Sequence, residues 1–257
     1  MLFIKREHEY TIFSRVNYCN CYICKLLDEM RILIALFFLF VFGQMKAQTY
    51  EIGIFAGGAN NIGDVGRTNY ILPSGVAFGG IAKWNISKRY SWRGTVIYGN
   101  FTADDSKSNM SSRQQRNYKL DNSILETSIG LEFNFVDFNL HQLGPAFTPY
   151  LYTGITYFRY GYYYFDAAQL QDFGQKDGGF AIPMTVGFKK RLSQFFILGG
   201  EIGARYTFTD NLDASNPEES NFEEFRFGNI LSDDWYVFSG ITLTYTFGRK
   251  PCQDCFE

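Results

Sequence analysis

The chain has 257 residues, with 24 Lys and Arg against 26 Asp and Glu and only two His. Aromatic residues make up 19% of it and charged residues another 19%, where an average chain carries about 25% charge. So many rings leave too much apolar surface for a disordered chain, and the near-zero charge gives no electrostatic basis for nucleic-acid binding. A bundle of membrane-crossing helices needs several apolar runs of about 20 residues, and the sequence does not have them.

The first feature in chain order is the apolar run 32–42, eleven residues preceded by Arg31 and followed by a small residue, Ala47. It is too short to span a bilayer. A basic start, a short apolar stretch and a small residue at a cleavage position predict a signal peptide over 30–47. Met30-Arg31 makes a conventional start, so residues 1–29 are expected to be an upstream extension produced by a wrong start codon. Cys19, Cys21 and Cys24 fall in that extension; without a second ligand set they predict no metal site.

From residue 48 onward no apolar period of 3.6 is sustained, and period two recurs instead. The clearest run is Trp235-Val237-Ser239-Ile241-Leu243-Tyr245-Phe247, and Leu125-Thr127-Ile129-Leu131-Phe133-Phe135 and Leu198-Gly200-Ile202-Ala204-Tyr206-Phe208 are others, each interleaved with small, polar or charged residues. Eight such segments are predicted, at about 50–57, 75–86, 89–102, 120–136, 148–160, 180–190, 195–208 and 234–248. The fifth has rings on both faces and is not oriented by its pattern. Connections alternate: short at 87–88 and 191–194, middling near 137–147, and long at 58–74, 103–119, 161–179 and 209–233.

Short turns on one side and long loops on the other are the sidedness of an outer-membrane barrel. The expected fold is therefore all-β: an eight-stranded antiparallel transmembrane barrel over 48–248, in a bacterial outer membrane, with lipid around it. Its termini and short turns are expected to be periplasmic and its long loops extracellular. On this register the inner face carries Glu51, Glu126, Glu132 and Glu201 against Lys83, Arg93, Lys189 and Arg205. Four acids and four bases can pair across a lumen wide enough only for side chains, so a plugged polar interior is expected instead of a pore. A soluble barrel reverses the pattern, with its apolar face inward. Tyr90, Trp92, Tyr98, Tyr206, Trp235, Tyr245 and Phe247 fall near strand ends, where interface girdles sit.

Enzyme chemistry finds little to work with. The chain from residue 48 has one His, His141, in a predicted turn, which leaves no Ser-His-acid constellation for acyl transfer. No catalytic residue, cofactor, metal or small-molecule substrate is predicted. The acidic loop 209–233 contains Asp210-Asn211-Leu212-Asp213, but it lacks the spacing of a calcium loop and reads as a solvated acidic loop. The tail 249–257 carries Cys252 and Cys255 after Pro251, which ends the last strand. In the periplasm that pair is a candidate local disulfide or partner contact.

Several segments in combination resemble a known family. They include 49–58 (Thr-Tyr-Glu-Ile-Gly-Ile-Phe-Ala-Gly-Gly), 61–66 (Asn-Ile-Gly-Asp-Val-Gly), 78–85 (Phe-Gly-Gly-Ile-Ala-Lys-Trp-Asn), 181–189 (Ala-Ile-Pro-Met-Thr-Val-Gly-Phe-Lys) and 241–252 (Ile-Thr-Leu-Thr-Tyr-Thr-Phe-Gly-Arg-Lys-Pro-Cys). Together they resemble the PorG-like proteins of the Bacteroidetes, also catalogued as DUF6089. The resemblance spans nearly all of 49–252 and implies a non-enzymatic outer-membrane barrel of the type IX secretion system. It implies a tie to periplasmic ring subunits of the PorK and PorN type, and a link to gliding motility in species that glide. It assigns no catalytic residues. The alternative expectation is a small OmpA-like surface barrel acting in adhesion or envelope integrity.

Overall fold

The computed structural model describes residues 49–140, 146–166, 169–217, 220–229, 231 and 233–248. The expected extension 1–29, signal peptide 30–47 and tail with Cys252 and Cys255 lie outside these residues, as does His141. The period-two segments become eight strands: β1 (Thr49–Ile62), β2 (Gly75–Asn85), β3 (Tyr90–Asp104), β4 (Lys119–Asn134), β5 (Phe147–Asp166), β6 (Gln169–Arg191), β7 (Phe196–Thr207) and β8 (Trp235–Phe247). Each pairs antiparallel with its sequence neighbour. β1 pairs with β8, so the sheet closes into a barrel without a free edge. Closure satisfies every ladder of backbone hydrogen bonds, which a sheet standing in lipid requires.

The two faces are opposite in character. Outward positions are apolar and exposed, as at Ile54, Phe78, Ile129, Ile155 and Ile241, all at 59–64%. Inward positions include Glu51, Lys83, Arg93, Glu126, Glu132, Lys189, Glu201 and Arg205, every one buried. A soluble barrel would hide the first set and expose the second. Rings collect near the strand ends, with Tyr50 on Phe247 (5.7 Å), Tyr90 on Phe133 (5.2 Å) and Tyr206 on Trp235 (5.1 Å). Among the described residues no helix is long and apolar enough to cross a membrane; the strands do the crossing.

Two differences from the sequence expectation have physical causes. The connection expected over 161–179 is mostly strand, because β5 and β6 continue as a hairpin past the apolar belt, with a register shift between Gly161 and Tyr163. Its rings are supported from outside the ladder: Tyr164 packs on Phe222 at 4.8 Å and Phe225 at 5.3 Å, from the 3-10 helix Ser220–Phe225. The second difference is the lumen, which is polar over only half its height. Towards the long loops it is filled by an apolar cluster that includes Phe55, Phe101, Phe158 and Phe238, with Val65 and Leu212 contributed by the connections. The long connection between β3 and β4 adds a 3-10 turn (Asp105–Lys107) and a short helix, α1 (Ser111–Arg116).

Candidate functional site

The lumen holds the densest chemistry of the molecule, and strand alternation builds it. Residues two apart on a strand share a face, so Arg93 on β3, Glu132 on β4, Lys189 on β6 and Glu201 on β7 all point to the axis. Glu132 is the hub: Lys189 Nζ lies 2.6 Å from Oε1, Lys83 Nζ 2.7 Å from Oε2, and Arg93 Nη1 3.5 Å from Oε2. Arg93 then spans to Glu201, Nη1 and Nη2 each donating over 2.7 Å. Glu126 and Arg205 make a separate pair, with Nη2 donating over 2.8 Å and Nε over 3.1 Å.

Of the eight predicted charges, seven are joined in ion pairs and Glu51 is held otherwise. It accepts from Thr244 Oγ1 at 2.8 Å and Asn85 Nδ2 at 3.0 Å. Such charges survive burial because each has a counter-ion or a set of donors. The tyrosines on the unoriented fifth segment complete the network and were missed by sequence reasoning. Tyr150 donates its hydroxyl to Glu201 at 2.5 Å, and Tyr152 shares a hydrogen bond with Ser128 at 2.9 Å under the Arg93 guanidinium. Tyr236 donates to Glu126 at 2.8 Å. At the short-turn end, Phe138 from the connection between β4 and β5 closes the lumen. It packs with Leu140 and Ile197, and Lys189 sits 4.9 Å over its ring.

The opposite end is capped by loops knotted through carboxylates. Asp105 accepts from the Gly66 amide at 2.7 Å and from Arg116 Nε at 2.7 Å. Asp213 accepts from the Asp64 and Val65 amides, and Asp234 from the Leu212 and Asp213 amides. Gly63 is needed there: a Cβ on it would stand 2.4 Å from carboxylate oxygens of both Asp213 and Asp234. Burial, then the nearby Asp213 charge, pushes the Asp210 carboxyl up to about 7. Burial raises Asp213 as well, and burial with the Asp213 charge raises Asp234. The acidic loop is therefore folded inward at Asp210 and Asp213, against Asp234 just before β8; there it is not the solvated loop its composition suggests. Among the described residues, no group of three or more His, Cys, Asp or Glu is arranged to hold a metal ion.

A charged, filled interior inside an apolar, ring-girdled exterior defines a small transmembrane β-barrel. Residues 30–256 match the family described as "Domain of unknown function (DUF6089)", and the chain belongs to that family. No protein of curated function matches the sequence. Solved structures that resemble the fold include a major outer membrane protein of Thermus thermophilus, at 13% identity and TM-score 0.45, covering 79% of this chain and 100% of that one. Ail, the attachment invasion locus protein of Yersinia pestis, is similar at 11% identity and TM-score 0.41, covering 78% and 97%. The N-terminal β-barrel domain of Pseudomonas aeruginosa OprF is similar at 10% identity and TM-score 0.40, covering 79% and 98%.

Proposed function

We propose that this protein is a non-enzymatic outer-membrane barrel of the type IX protein secretion system, anchoring the periplasmic ring of that machine to the membrane. The observation that carries the reading is the filled lumen. Side chains with fixed partners occupy it from Phe138 to the carboxylate knot, so the described interior is packed with protein groups. A barrel without a channel acts through its ends and its outer wall. The likeness of 49–252 to PorG-like sequences supports the choice of machine, and PorK-like and PorN-like ring subunits are the proposed partners. In this reading the short turns, the chain termini and the Cys252–Cys255 pair face the periplasm and the ring, and the long loops face outward.

The test is deletion of the gene followed by measurement of type IX cargo in the medium. Loss of cargo, restored by the intact chain, is the expected result. Normal secretion together with lost surface attachment would instead favour the adhesion reading. Affinity purification from membranes should bring down the ring subunits, and replacing the residues of the short turns should release them.

A further inference from the structure

The strands of the barrel do not end level, and the step between them leaves a pocket at the long-loop rim. The last register pair of β1 and β2 on that side is Ala59 with Gly75, where β2 begins. β1 continues to Ile62 on one flank and β3 to Asp104 on the other. Beyond Gly75 the connection 63–74, and not a strand, stands between them. It is pinned at one end by Ser74, whose amide donates to the Ala59 carbonyl at 2.9 Å and whose Oγ accepts from the Thr102 amide at 3.1 Å. Nearer its start the Gly66 amide is held by Asp105 at 2.7 Å. Against this braced connection lies a cavity of about 350 Å³, at the lower end of the roughly 300–1,000 Å³ of small-molecule sites.

The lining carries unspent hydrogen-bonding capacity. Asn60 and Asn61 both line the cavity and are only 4% and 8% exposed, yet Asn60 Oδ1 and Asn61 Nδ2 have no partner among the described residues. A buried polar atom left unpaired is costly. One free acceptor beside one free donor suits a group that is both, as a hydroxyl is. Asn60 Nδ2 is already committed to the Tyr70 carbonyl at 3.2 Å. Asn69 adds a third amide, and Leu72 and Pro73 a small apolar patch on which the C–H face of a sugar ring can rest. The charged lining is Arg67 and Lys107 against one acid, Asp104, an excess of one positive charge. Asp104 is occupied: Oδ1 accepts from the Ser106 amide at 3.0 Å and hydroxyl at 2.6 Å, and Oδ2 lies 3.7 Å from Lys107 Nζ and 3.9 Å from Lys119 Nζ. Arg67 makes no ion pair among the described residues.

We propose that this pocket takes one acidic sugar unit, its hydroxyls on Asn60, Asn61 and Asn69 and its carboxylate towards Arg67 and Lys107. A bare anion would answer the basic pair and leave both amides unpaired. A neutral sugar would answer the amides and leave the charge. A ring that bears hydroxyls and a carboxylate answers both. In the proposed topology this end of the barrel faces outward, where glycans are met; the inference does not depend on the secretion role.

The experiment titrates the full barrel, folded in detergent micelles and labelled with nitrogen-15, and follows the side-chain amide signals of Asn60 and Asn61. Three probes are compared at equal ionic strength: glucuronate, glucose and acetate. Glucuronate should move both signals to saturation, with a midpoint several-fold lower than that of glucose, and acetate should leave them in place. Arg67→Ala should bring the glucuronate midpoint up to that of glucose. Asn61→Ala should weaken both sugars several-fold and keep their ratio. Lys107→Ala alters a side chain that is 56% exposed, so it folds normally and should narrow the ratio even if Asn61→Ala does not fold. The methyl glycoside of glucuronic acid separates two sources of the same chemistry. Binding equal to the free acid assigns the site to the end unit of a glycan, and binding of the free acid alone assigns it to a free sugar acid. No saturable shift with glucuronate, equal midpoints for glucuronate and glucose, or an acetate shift as large as that of glucuronate would overturn the proposal.

Discussion

Arg93 on β3 and Glu201 on β7 meet across the barrel axis through two hydrogen bonds of 2.7 Å, and Tyr150 donates a third bond to the same carboxylate. Two charges so far from water stabilise only as a pair. Removing Glu201 should cost about 3–5 kcal/mol, because Arg93 then keeps only its 3.5 Å contact with Glu132, which already balances Lys83 and Lys189. Glu201→Gln should therefore unfold at clearly lower urea in lipid vesicles, whereas the double variant Arg93→Met, Glu201→Leu should recover most of the loss. A double variant as weak as the single one would show that the pair matters for more than charge balance.

The outer wall gives a prediction of opposite sign for the same kind of residue. Ile129 is 63% exposed on β4, and placing Arg there should cost about 2–4 kcal/mol if it sits near the middle of the hydrocarbon. Heat-modifiable gel migration should show a smaller folded fraction after vesicle insertion. Leu231→Arg, in a loop and 91% exposed, should change nothing. Equal tolerance at both positions would point to a wall in water.

A filled lumen predicts electrical silence. In a planar bilayer the intact protein should show no stepwise conductance above the bare membrane. Removal of the Phe138 ring opens only the short-turn end, so Phe138→Ala should stay silent as well, because the apolar cluster at the other end is intact. Steady channels from the intact protein would contradict the packed interior.

The carboxylate knot should respond to pH. Asp210 titrates near 7 in the folded loop, against about 3.9 in an unfolded chain. The folded form thus keeps a proton that the unfolded form has released. The stabilisation is complete below about pH 4 and is lost as pH rises through 7. Asp213 and Asp234 shift in the same direction. Amide exchange over 210–216, corrected for its intrinsic pH dependence, should show protection falling across that range, and Asp210→Asn should flatten the fall. Protection that rises with pH would reverse the assignment.

How much of this was legible beforehand depends on where the information resides. Period two places Glu126, Glu132 and Glu201 on one face of their strands, because alternation is a local property of a pleated chain. β5 resisted such reading: Tyr150 and Tyr152 turn inward while Leu151 and Tyr157 turn outward, and apolar content is similar on both faces. The difference between them is a hydroxyl that finds Glu201 or Ser128 from other strands, and no window along the chain contains that. The same holds for Asp105 and Arg116, which tie connections together across 39 and 52 residues of sequence. Loops have no period, so their folding is written only in three dimensions. The half-apolar lumen escaped notice for a related reason: Val65 and Leu212 come from connections whose inward course no strand pattern announces.

The β5–β6 hairpin has one further consequence. β6 runs for 23 residues, whereas about 9–11 suffice to cross a bilayer. At about 3.3 Å per residue, the excess is roughly 40 Å of hydrogen-bonded ladder standing clear of the belt. A slack loop of that length would absorb a tug by straightening. A paired ladder braced by Phe222 and Phe225 passes it to the barrel wall, so a force on the hairpin tip reaches the strands below with little slack.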